Sequence, residues 1–391
     1  MDRRVRLHTF TIALLTFVLT VFILLLLSAP YFDFQVYYEQ KARSPFPKML
    51  DEELLYDHPE SYEYCFEKAR TTKPAQGKWI VEPYACSNDV NVVVMVKSST
   101  DRNENRHIIR KTWGQNVQLL NGKDKRLIFR TIFIIGFSSI QSTSPINRYL
   151  QAENQKYKDI LQVDIQDGLA VPSFIEKTLN GLRFLDKSCP NVSMILIADD
   201  DTILAPWLLF GKIAPIDDII QNADLSYFGG LPFLMNIVPR RLSQESRITF
   251  PRDKYPCYSV PLYLRAFAML ISQKTMKRLL EETENYYSSL FIDDIYLSWL
   301  AYRLNLTFTE FPKQLYDGSC LFDNLMHSQG QYEIHLKHES VDNIAFFHQC
   351  DAPQMQIDIW HRLCESFVTN DSTVLNIHAS YCDMYIERAL I

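Results

Sequence analysis

The chain lacks several features that would assign it to common classes of protein. Its 391 residues include 40 lysines and arginines against 46 aspartates and glutamates, and a net charge of −6 provides no global positive field for nucleic acid. No Cys-x-x-Cys pair occurs among the eight cysteines, which argues against a cysteine metal site. Internal repeats and low-complexity tracts are absent too. With 47% hydrophobic and 22% charged residues, the chain instead has the material for a large packed core.

A long apolar segment near the N-terminus predicts a membrane anchor. Several arginines precede the stretch from Phe10 to Leu27, whose polar residues are all threonines, and about 20 such residues span a bilayer. Basic residues stay on the cytoplasmic side. We therefore predict a cytoplasmic tail over residues 1–7 and a single-pass type II signal-anchor over residues 8–29. A cleaved signal peptide is the alternative, but its apolar region is typically only about 7 to 15 residues long.

The rest of the chain is then predicted to lie in the lumen of the secretory pathway. All eight cysteines follow the anchor, and we expect disulfides in this oxidising compartment, with the pairing left open. Asn-x-Ser/Thr sequons at Asn191, Asn305 and Asn370 agree with that location. Residues 30–85 are aperiodic and carry acidic clusters, tyrosines and prolines. We interpret them as a luminal stem, followed by a catalytic domain over residues 86–391.

Beyond Cys86, apolar strand patterns alternate with helical patterns. Strands are predicted at residues 92–96, 128–137, 159–165 and 193–198, and helices at residues 106–113 and 174–186. Strands separated by helices imply an α/β fold with a mainly parallel central sheet and helices on both faces. In open sheets of this kind, ligands bind beyond the carboxyl ends of the strands.

Three consecutive aspartates, Asp199, Asp200 and Asp201, end the last predicted strand. Adjacent carboxylates raise each other's energy unless a cation or hydrogen-bond donors offset them. Alternate side chains of an extended stretch share a face, so we expect Asp199 and Asp201 to point together and Asp200 to point away. Oxygen ligands suit Mg²⁺ or Mn²⁺, which favours a divalent ion carrying a nucleotide diphosphate. An acidic turn that begins the next helix is the structural alternative.

A series of motifs follows in a fixed order from about Cys86 to about Leu363. The motifs are Arg106-x-x-Ile109-Arg110-x-Thr112-Trp113-Gly114, Phe133-Ile-Ile-Gly136, Tyr157-x-Asp159-Ile160-Leu161, Lys177-Thr178, the aspartate triplet, Tyr255-Pro256-x-Tyr258, Ile292-Asp293-Asp294-Ile295-Tyr296 and Ile344-Ala-Phe-Phe-His348-Gln349. In this order they resemble the β1,3-galactosyltransferase family, glycosyltransferase family 31. The resemblance implies a GT-A nucleotide-sugar-binding fold in a Golgi membrane enzyme that inverts the anomeric carbon of a UDP-activated hexose.

The resemblance also implies roles for the acidic triplet and for one histidine. Asp201 would bind Mn²⁺ or another divalent cation directly, and Asp199 and Asp200 would lie nearer the ribose and sugar of the UDP-sugar. His348 would complete the protein's share of the ligands, because neutral imidazole is an acceptable ligand for Mn²⁺. A hydrogen-bonded core histidine is the structural alternative for His348.

Asp294 is the predicted general base. An inverting transfer is a single in-line displacement, so a carboxylate must take the proton from the acceptor hydroxyl. An ordinary aspartate, with a pKa of about 3.9, is ionised even in a mildly acidic lumen. The alternative is that Asp293 and Asp294 merely begin the helix that follows, and both roles can coexist if Asp293 caps that helix while Asp294 faces the site. Arg110 and Lys177 are candidates for binding the nucleotide, although an arginine on a helix more often faces solvent.

Two segments depart from the family pattern. Residues 168–175 are longer than the corresponding family element and contain a proline, and residues 259–268 contain no glycine where the family has a glycine-rich stretch. Side chains at these points would reshape the sugar pocket. We predict a UDP-sugar β1,3-hexosyltransferase, first of all a galactosyltransferase, that moves galactose or N-acetylhexosamine to a glycoprotein or glycolipid. A catalytically inactive member that binds sugar nucleotides or acts like a chaperone is the alternative, and a calcium-dependent lectin is a third hypothesis.

Overall fold

The computed structural model places the residues from Ser61 onward in one compact unit. The residues that the structure describes are 62–73, 76–116, 118–120, 126–137, 145–167, 171–210, 225–235, 238–239, 249–312, 316–319, 345–366 and 382. The predicted tail, the anchor and most of the stem lie outside these residues. Within the described ranges, no helix has both the length and the apolar character needed to cross a bilayer.

Strands and helices alternate along the described chain. The helices are α1 (Tyr62–Lys68), α2 (Asn103–Lys111), α3 (Pro145–Tyr157), α4 (Val171–Ser188), α5 (Pro206–Leu208), α6 (Gln273–Asn285), α7 (Asp293–Arg303) and α8 (Pro353–Ser366). The strands are β1 (Trp79–Val81), β2 (Val92–Lys97), β3 (Gln118–Leu120), β4 (Arg126–Phe137), β5 (Ile160–Gln166), β6 (Met194–Asp199), β7 (Ile203–Leu204), β8 (Phe228–Gly230), β9 (Pro232–Phe233), β10 (Tyr263–Leu264), β11 (Met269–Ser272), β12 (Phe308–Glu310), β13 (Tyr316–Ser319) and β14 (Phe346–His348). The four predicted strands and two predicted helices are confirmed, with ends that differ by a few residues.

One large sheet organises the fold. Its strand order is β1-β5-β4-β2-β6-β11-β8-β12, and β3 pairs with β4. Strands β5, β4, β2 and β6 run parallel to one another, and β8 runs parallel to β12, whereas β1 and β3 pair antiparallel with β5 and β4. Strand β11 runs antiparallel to both β6 and β8. The mainly parallel central sheet is confirmed, and the sequence did not predict the antiparallel strand.

Both faces of this sheet are covered, because alternate side chains of β2 enter different hydrophobic clusters. Val92, Val94 and Val96 belong to a cluster that includes residues of α2 and α8. Val93 and Met95 belong to a second cluster, which includes residues of α4, α6 and α7. Burial on both sides explains why β2 reads as an unbroken apolar run rather than an alternating one.

The segment before Cys86 contributes to the compact unit. Phe66 of α1 is fully buried, and its ring stacks on Trp299 of α7 with centroids 3.9 Å apart. A disulfide joins Cys65 to Cys257, and β1 pairs with β5. The predicted domain boundary at residue 86 therefore falls inside the unit.

The expected disulfides are present in the described part of the chain. Besides the bond from Cys65, one disulfide links Cys86 to Cys189 and another links Cys364 to Cys382. Cys350 is also disulfide-bonded. None of the described cysteines is a free thiol.

The carboxyl ends of β2 and β6 meet at the point where the strand order reverses. Strands β4 and β5 continue from one side of β2, whereas β6 lies on its other side. Lys97, which ends β2, is the register partner of Asp199, which ends β6. Ligands of open α/β sheets bind at such a point, so the fold brings the acidic triplet to the expected edge.

Candidate active site

The acidic triplet divides its side chains between two directions. Asp199 and Asp201 both approach His348. Asp200 is buried, and Ser98 Oγ donates a hydrogen bond to Asp200 Oδ2 over 2.7 Å. The predicted alternation of these three side chains is therefore present in the structure. Asp200 therefore contacts Ser98, which directly follows β2. Its predicted role in binding the donor stays a prediction.

A short pair of strands brings His348 to the aspartates. Strand β14 pairs antiparallel with β7, which follows the triplet directly, and the Cys350 N–H donates to the Asp201 carbonyl over 2.8 Å. His348 Nε2 lies 3.5 Å from Asp201 Oδ1 and 3.7 Å from Asp199 Oδ2. The imidazole stacks on Phe267, with ring centroids 3.9 Å apart. Backbone pairing and ring stacking thus fix where this imidazole nitrogen lies.

Asp199, Asp201 and His348 fit a divalent cation. Each offers one ligand atom, and these atoms lie within 4.8 Å of one another. Asp201 Oδ1 is buried and has no hydrogen-bond partner within the described part of the chain. The pKa of Asp201 is raised to about 7, mainly by burial, with His348 opposing the shift and Asp199 and Asp200 adding to it. Two carboxylates and an imidazole are a suitable ligand set for Mn²⁺, and a cation would offset the cost of their burial.

Lys97 connects this group to the start of α7. Its Nζ lies 2.8 Å from Asp199 Oδ1 and 2.8 Å from Asp293 Oδ2. Burial alone would lower the pKa of Lys97, but Asp199 and Asp293 together hold it far above its ordinary value. The ammonium group is therefore permanently charged, and it partly neutralises the acidic edge of the sheet.

Asp294 lies in the first turn of α7, close to this charged cluster. Its Oδ1 accepts a hydrogen bond from the Ile295 N–H over 2.7 Å. The pKa of Asp294 is raised to about 8, mainly by burial and then by the neighbouring Asp293, while Lys97 opposes the shift. The expectation of an ordinary pKa for Asp294 was therefore wrong, because the sequence does not show how deeply the carboxyl is buried.

The expectation that Asp293 caps α7 was also wrong. Ile292 is the N-cap residue, and no side-chain hydrogen bond caps the helix there. The Asp293 carboxylate points instead into the protein, where Oδ2 accepts from Lys97 Nζ and, over 2.7 Å, from Thr178 Oγ1. A buried ammonium attracts this carboxylate more strongly than the helix terminus does.

Arg110 and Lys177 both have partners within the protein. Arg110 forms a two-pronged pair with Asp159, over 2.7 and 2.9 Å. Lys177 Nζ donates to the Ser98 carbonyl over 3.0 Å and lies 2.7 Å from Asp167 Oδ1. Lys177 is thus next to the residues that hold Asp200, whereas Arg110 ties α2 to the start of β5. Their predicted contact with a nucleotide stays a prediction.

Lys97 and Phe267 are the two residues of the site that the sequence analysis missed. Lys97 ends a strand of apolar residues, and a lysine at that position beside the acidic strand was a usable signal. Phe267 lies in an apolar stretch where nothing distinguishes it from a core residue. Only the folded chain reveals its contact with His348.

The comparison with known families gives one clear result. The model of the family described as "Galactosyltransferase" matches residues 104–312, slightly more than half of the chain. The chain belongs to this family. It is therefore a glycosyltransferase, and the resemblance to glycosyltransferase family 31 is confirmed. The matched region contains the acidic triplet and Asp294, whereas His348 follows it.

The chain is similar to several β1,3-N-acetylglucosaminyltransferases. The lactosylceramide 1,3-N-acetyl-β-D-glucosaminyltransferase of Mus musculus is 23% identical over 293 residues, which cover 71% of this chain and 75% of that protein. The Homo sapiens protein of the same name is 25% identical, and the match covers 63% of this chain and 64% of that protein. A UDP-GlcNAc:betaGal beta-1,3-N-acetylglucosaminyltransferase 7 of Rattus norvegicus is 38% identical over 128 residues, which cover 32% of this chain and 30% of that protein.

A solved structure of another glycosyltransferase aligns weakly with this chain. The apo crystal structure of mouse xyloside xylosyltransferase 1 has a TM-score of 0.29 and 10% identity, and the match covers 66% of this chain and 97% of that one. We draw nothing from that similarity. The fold assignment depends on the chain's own sheet, whose parallel strands, single inserted antiparallel strand and covered faces fit a GT-A type of α/β fold.

Proposed function

We propose that the chain is an inverting β1,3-hexosyltransferase that moves a hexose from a UDP-sugar to a glycolipid or glycoprotein acceptor. The observation that carries this proposal is the meeting of Asp199, Asp201 and His348 at the sheet edge, close to the first turn of α7, which contains Asp294. Family membership supplies the class of enzyme. The grouping of a cation site with a separate buried carboxyl supplies the two functions that such a transfer needs.

Asp201, His348 and Asp199 are the residues that would hold a divalent cation, with Mn²⁺ as our first choice. When bound, such an ion neutralises charge on the diphosphate of the leaving group. Asp201 Oδ1 supports this assignment most strongly, because a buried oxygen that accepts no hydrogen bond from the described residues has a large energetic reason to bind a ligand.

Asp294 is proposed as the general base. Its carboxylate takes the proton of the acceptor hydroxyl while the hydroxyl oxygen bonds to the anomeric carbon and the bond from that carbon to UDP breaks. A base is most effective when its pKa is near the working pH. Burial raises the pKa of Asp294 above that of an ordinary aspartate, so its carboxylate is a stronger base.

The glycine-free segment over residues 259–268 lies beside Asp294 and supports a role in choosing the acceptor. The Leu264 N–H of β10 donates a hydrogen bond to Ser298 Oγ of α7 over 3.0 Å, which ties this segment to the helix that carries Asp294. Arg265 lies over the ring of Phe233, 4.3 Å from its centroid. We infer that the aromatic rings and the guanidinium group at this segment offer a surface on which a sugar ring can stack.

N-acetylglucosamine is the donor sugar that we test first, ahead of galactose. The similar proteins from mouse, human and rat have names that specify transfer of this sugar in a β1,3 linkage. Residues 168–175 and 259–268 depart from the family pattern, so the donor hexose is not copied from these relatives. Galactose and N-acetylgalactosamine remain in the test.

We also propose that the enzyme works as a type II membrane protein in the Golgi. The apolar segment at residues 10–27 and the preceding arginines support an anchor. Disulfides at Cys65, Cys86 and Cys364 support an oxidising compartment for the rest of the chain.

A donor screen tests the function directly. The purified full-length chain is incubated with Mn²⁺, radiolabelled UDP-GlcNAc, UDP-Gal or UDP-GalNAc, and acceptors that end in galactose, with lactosylceramide among them. We expect transfer from one donor, its loss in chelator and a decrease of about 10²-fold or more in Asp294→Asn. Binding of a UDP-sugar without turnover on any acceptor would instead support the inactive, sugar-nucleotide-binding alternative.

A further inference from the structure

Lys97 occupies a position that the proposed chemistry does not yet explain. Only 7% of its side chain is exposed, and its ammonium group lies 2.8 Å from a carboxylate oxygen on each of two elements. One is Asp199 at the end of β6, and the other is Asp293 at the start of α7. A lysine is rarely buried without paired charges, so these two contacts account for its position.

The two oxygens of the Asp199 carboxylate have different neighbours. Oδ1 faces Lys97, whereas Oδ2 faces His348 at 3.7 Å. A carboxylate on a short side chain turns easily about its last bond, whose rotamer distribution is broad. A fixed donor on one oxygen removes that freedom and keeps the other oxygen directed at the group that contains Asp201.

The contact with Asp293 acts on the other half of the site. Asp293 is 4% exposed, and its Oδ2 accepts from both Lys97 and Thr178 of α4. It begins α7 and immediately precedes Asp294. Because α7 lacks a side-chain cap at Ile292, these two hydrogen bonds hold the side chain of its first residue in place.

We propose that Lys97 is a positioning residue that orients Asp199 for a divalent cation and, through Asp293, holds the first turn of α7 in place for Asp294. The inference depends on the cation site of the proposed function. It adds that one side chain sets the relative placement of cation ligand and base, although it touches neither the donor nor the acceptor.

Direct measurement of Mn²⁺ binding separates positioning from a merely structural ion pair. Mn²⁺ is titrated into the purified full-length chain without any donor, and free ion is followed by electron paramagnetic resonance. Residues that orient metal ligands typically contribute about 10- to 100-fold to affinity, so we expect Lys97→Met to weaken binding by about tenfold or more. Lys97→Arg keeps the charge, but its planar fork cannot place one donor between the two acids, and we expect weaker binding there too.

Two competing hypotheses, charge balance alone and a purely structural ion pair, make different predictions for the same variants. If Lys97 only balances charge, Lys97→Arg would bind Mn²⁺ like the wild type, and Lys97→Met would bind it more tightly because a repelling cation has gone. If it is only a structural ion pair, the melting temperature would fall while the Mn²⁺ affinity stayed the same. Either result would overturn the proposal.

Two variants that change the surroundings of Asp293, and not those of Asp199, serve as matched controls. Thr178→Val removes one hydrogen bond to Asp293 and leaves both Lys97 contacts in place, so Mn²⁺ affinity should stay within about threefold of the wild type, well below the effect of losing an orienting residue. Asp293→Asn weakens the hold on α7 but leaves Asp199 paired, so kcat should fall while Mn²⁺ affinity is kept. Equal loss of Mn²⁺ affinity in Asp293→Asn and Lys97→Met would contradict the proposal that the contact with Asp199 serves cation binding and the contact with Asp293 serves the placement of α7.

A variant with both Lys97→Met and Asp293→Asn keeps the test usable if the single methionine variant folds poorly. It removes one charge of each sign, so the net charge of the cluster is unchanged, and we still expect the tenfold loss of Mn²⁺ affinity. Wild-type affinity within this variant would overturn the orienting role. If the wild type itself did not bind Mn²⁺, the cation site of the proposed function would fail, and this part of the inference with it.

Discussion

Replacing Asp294 by asparagine should stabilise the folded chain while it abolishes transfer. Asparagine has nearly the same shape as aspartate but carries no charge. In the wild type, the pKa of Asp294 is raised to about 8, mainly by burial, so above about pH 4 the folded state must either take up a proton or bear an unfavourable buried charge. The variant does not have that cost, because its side chain is neutral at every pH.

The size and sign of the effect follow from proton linkage. At about 1.4 kcal/mol for each tenfold change in acid strength, the difference between 3.8 and about 8 corresponds to a ceiling of about 6 kcal/mol. Relaxation of the site lowers such penalties, and we expect an increase of about 1 to 3 kcal/mol in the free energy of unfolding at pH 8. Because the folded-state pKa is raised, the wild type binds a proton more tightly when folded. Its stability from this group is therefore greatest below pH 4 and declines as the pH rises towards 8.

Denaturant unfolding at pH 5, 6.5 and 8 in chelator measures this difference. The advantage of Asp294→Asn over the wild type should grow with pH. Asp293→Asn is the matched control of opposite sign, because it removes the charge that pairs with Lys97 and should cost about 2 kcal/mol. A variant at Asp294 whose stability followed the wild type at all three pH values would refute the buried-charge reasoning. Transfer that survived within tenfold would refute the role as base.

Three further predictions address other parts of the molecule. His348→Ala should weaken Mn²⁺ binding by at least tenfold in the same resonance titration, and unchanged binding would place the ion elsewhere. Phe66→Ala should lower the free energy of unfolding by about 3 to 5 kcal/mol because it empties the stack on Trp299, and an effect below 1 kcal/mol would show that α1 is dispensable. Asn305 is exposed and is followed by an exposed Thr307, so we expect an N-linked glycan on Asn305 in protein expressed through the secretory pathway. Asn305→Gln should then increase the mobility of the protein on a gel by the amount that corresponds to one glycan removable by glycosidase. A wild-type band insensitive to the glycosidase would contradict this.

The sequence predicted those parts of the molecule that local patterns determine. Unbroken apolar runs revealed β2 and β6, since strands covered on both faces have no polar alternation. The two-residue period of an extended chain was enough to separate Asp200 from Asp199 and Asp201. His348 was found from its place in a motif, although the pairing of β7 with β14 that brings it to the site was not predicted.

The remaining features depend on contacts between distant segments. The pKa of Asp294 is set by burial under residues that are far away in the chain. Lys97 and Asp293 are 196 residues apart in the chain, and the ion pair between them explains why Asp293 does not cap its helix. The start of the compact unit was placed too late because α1 is short, and its importance comes from Phe66 packing against α7 and from the bond to Cys257.

The disulfide from Cys65 and the aromatic stack of Phe66 set a practical limit on how the gene can be cut for expression. A fragment that began at Cys86 would retain Cys257 without its mate, and the orphan thiol would be available to pair wrongly during oxidative folding. The same cut would uncover Trp299 on the helix that carries Asp294. Secreted versions of this enzyme should therefore start upstream of Tyr62, and failures of shorter versions would reflect the missing N-terminal helix rather than a defect of the catalytic machinery.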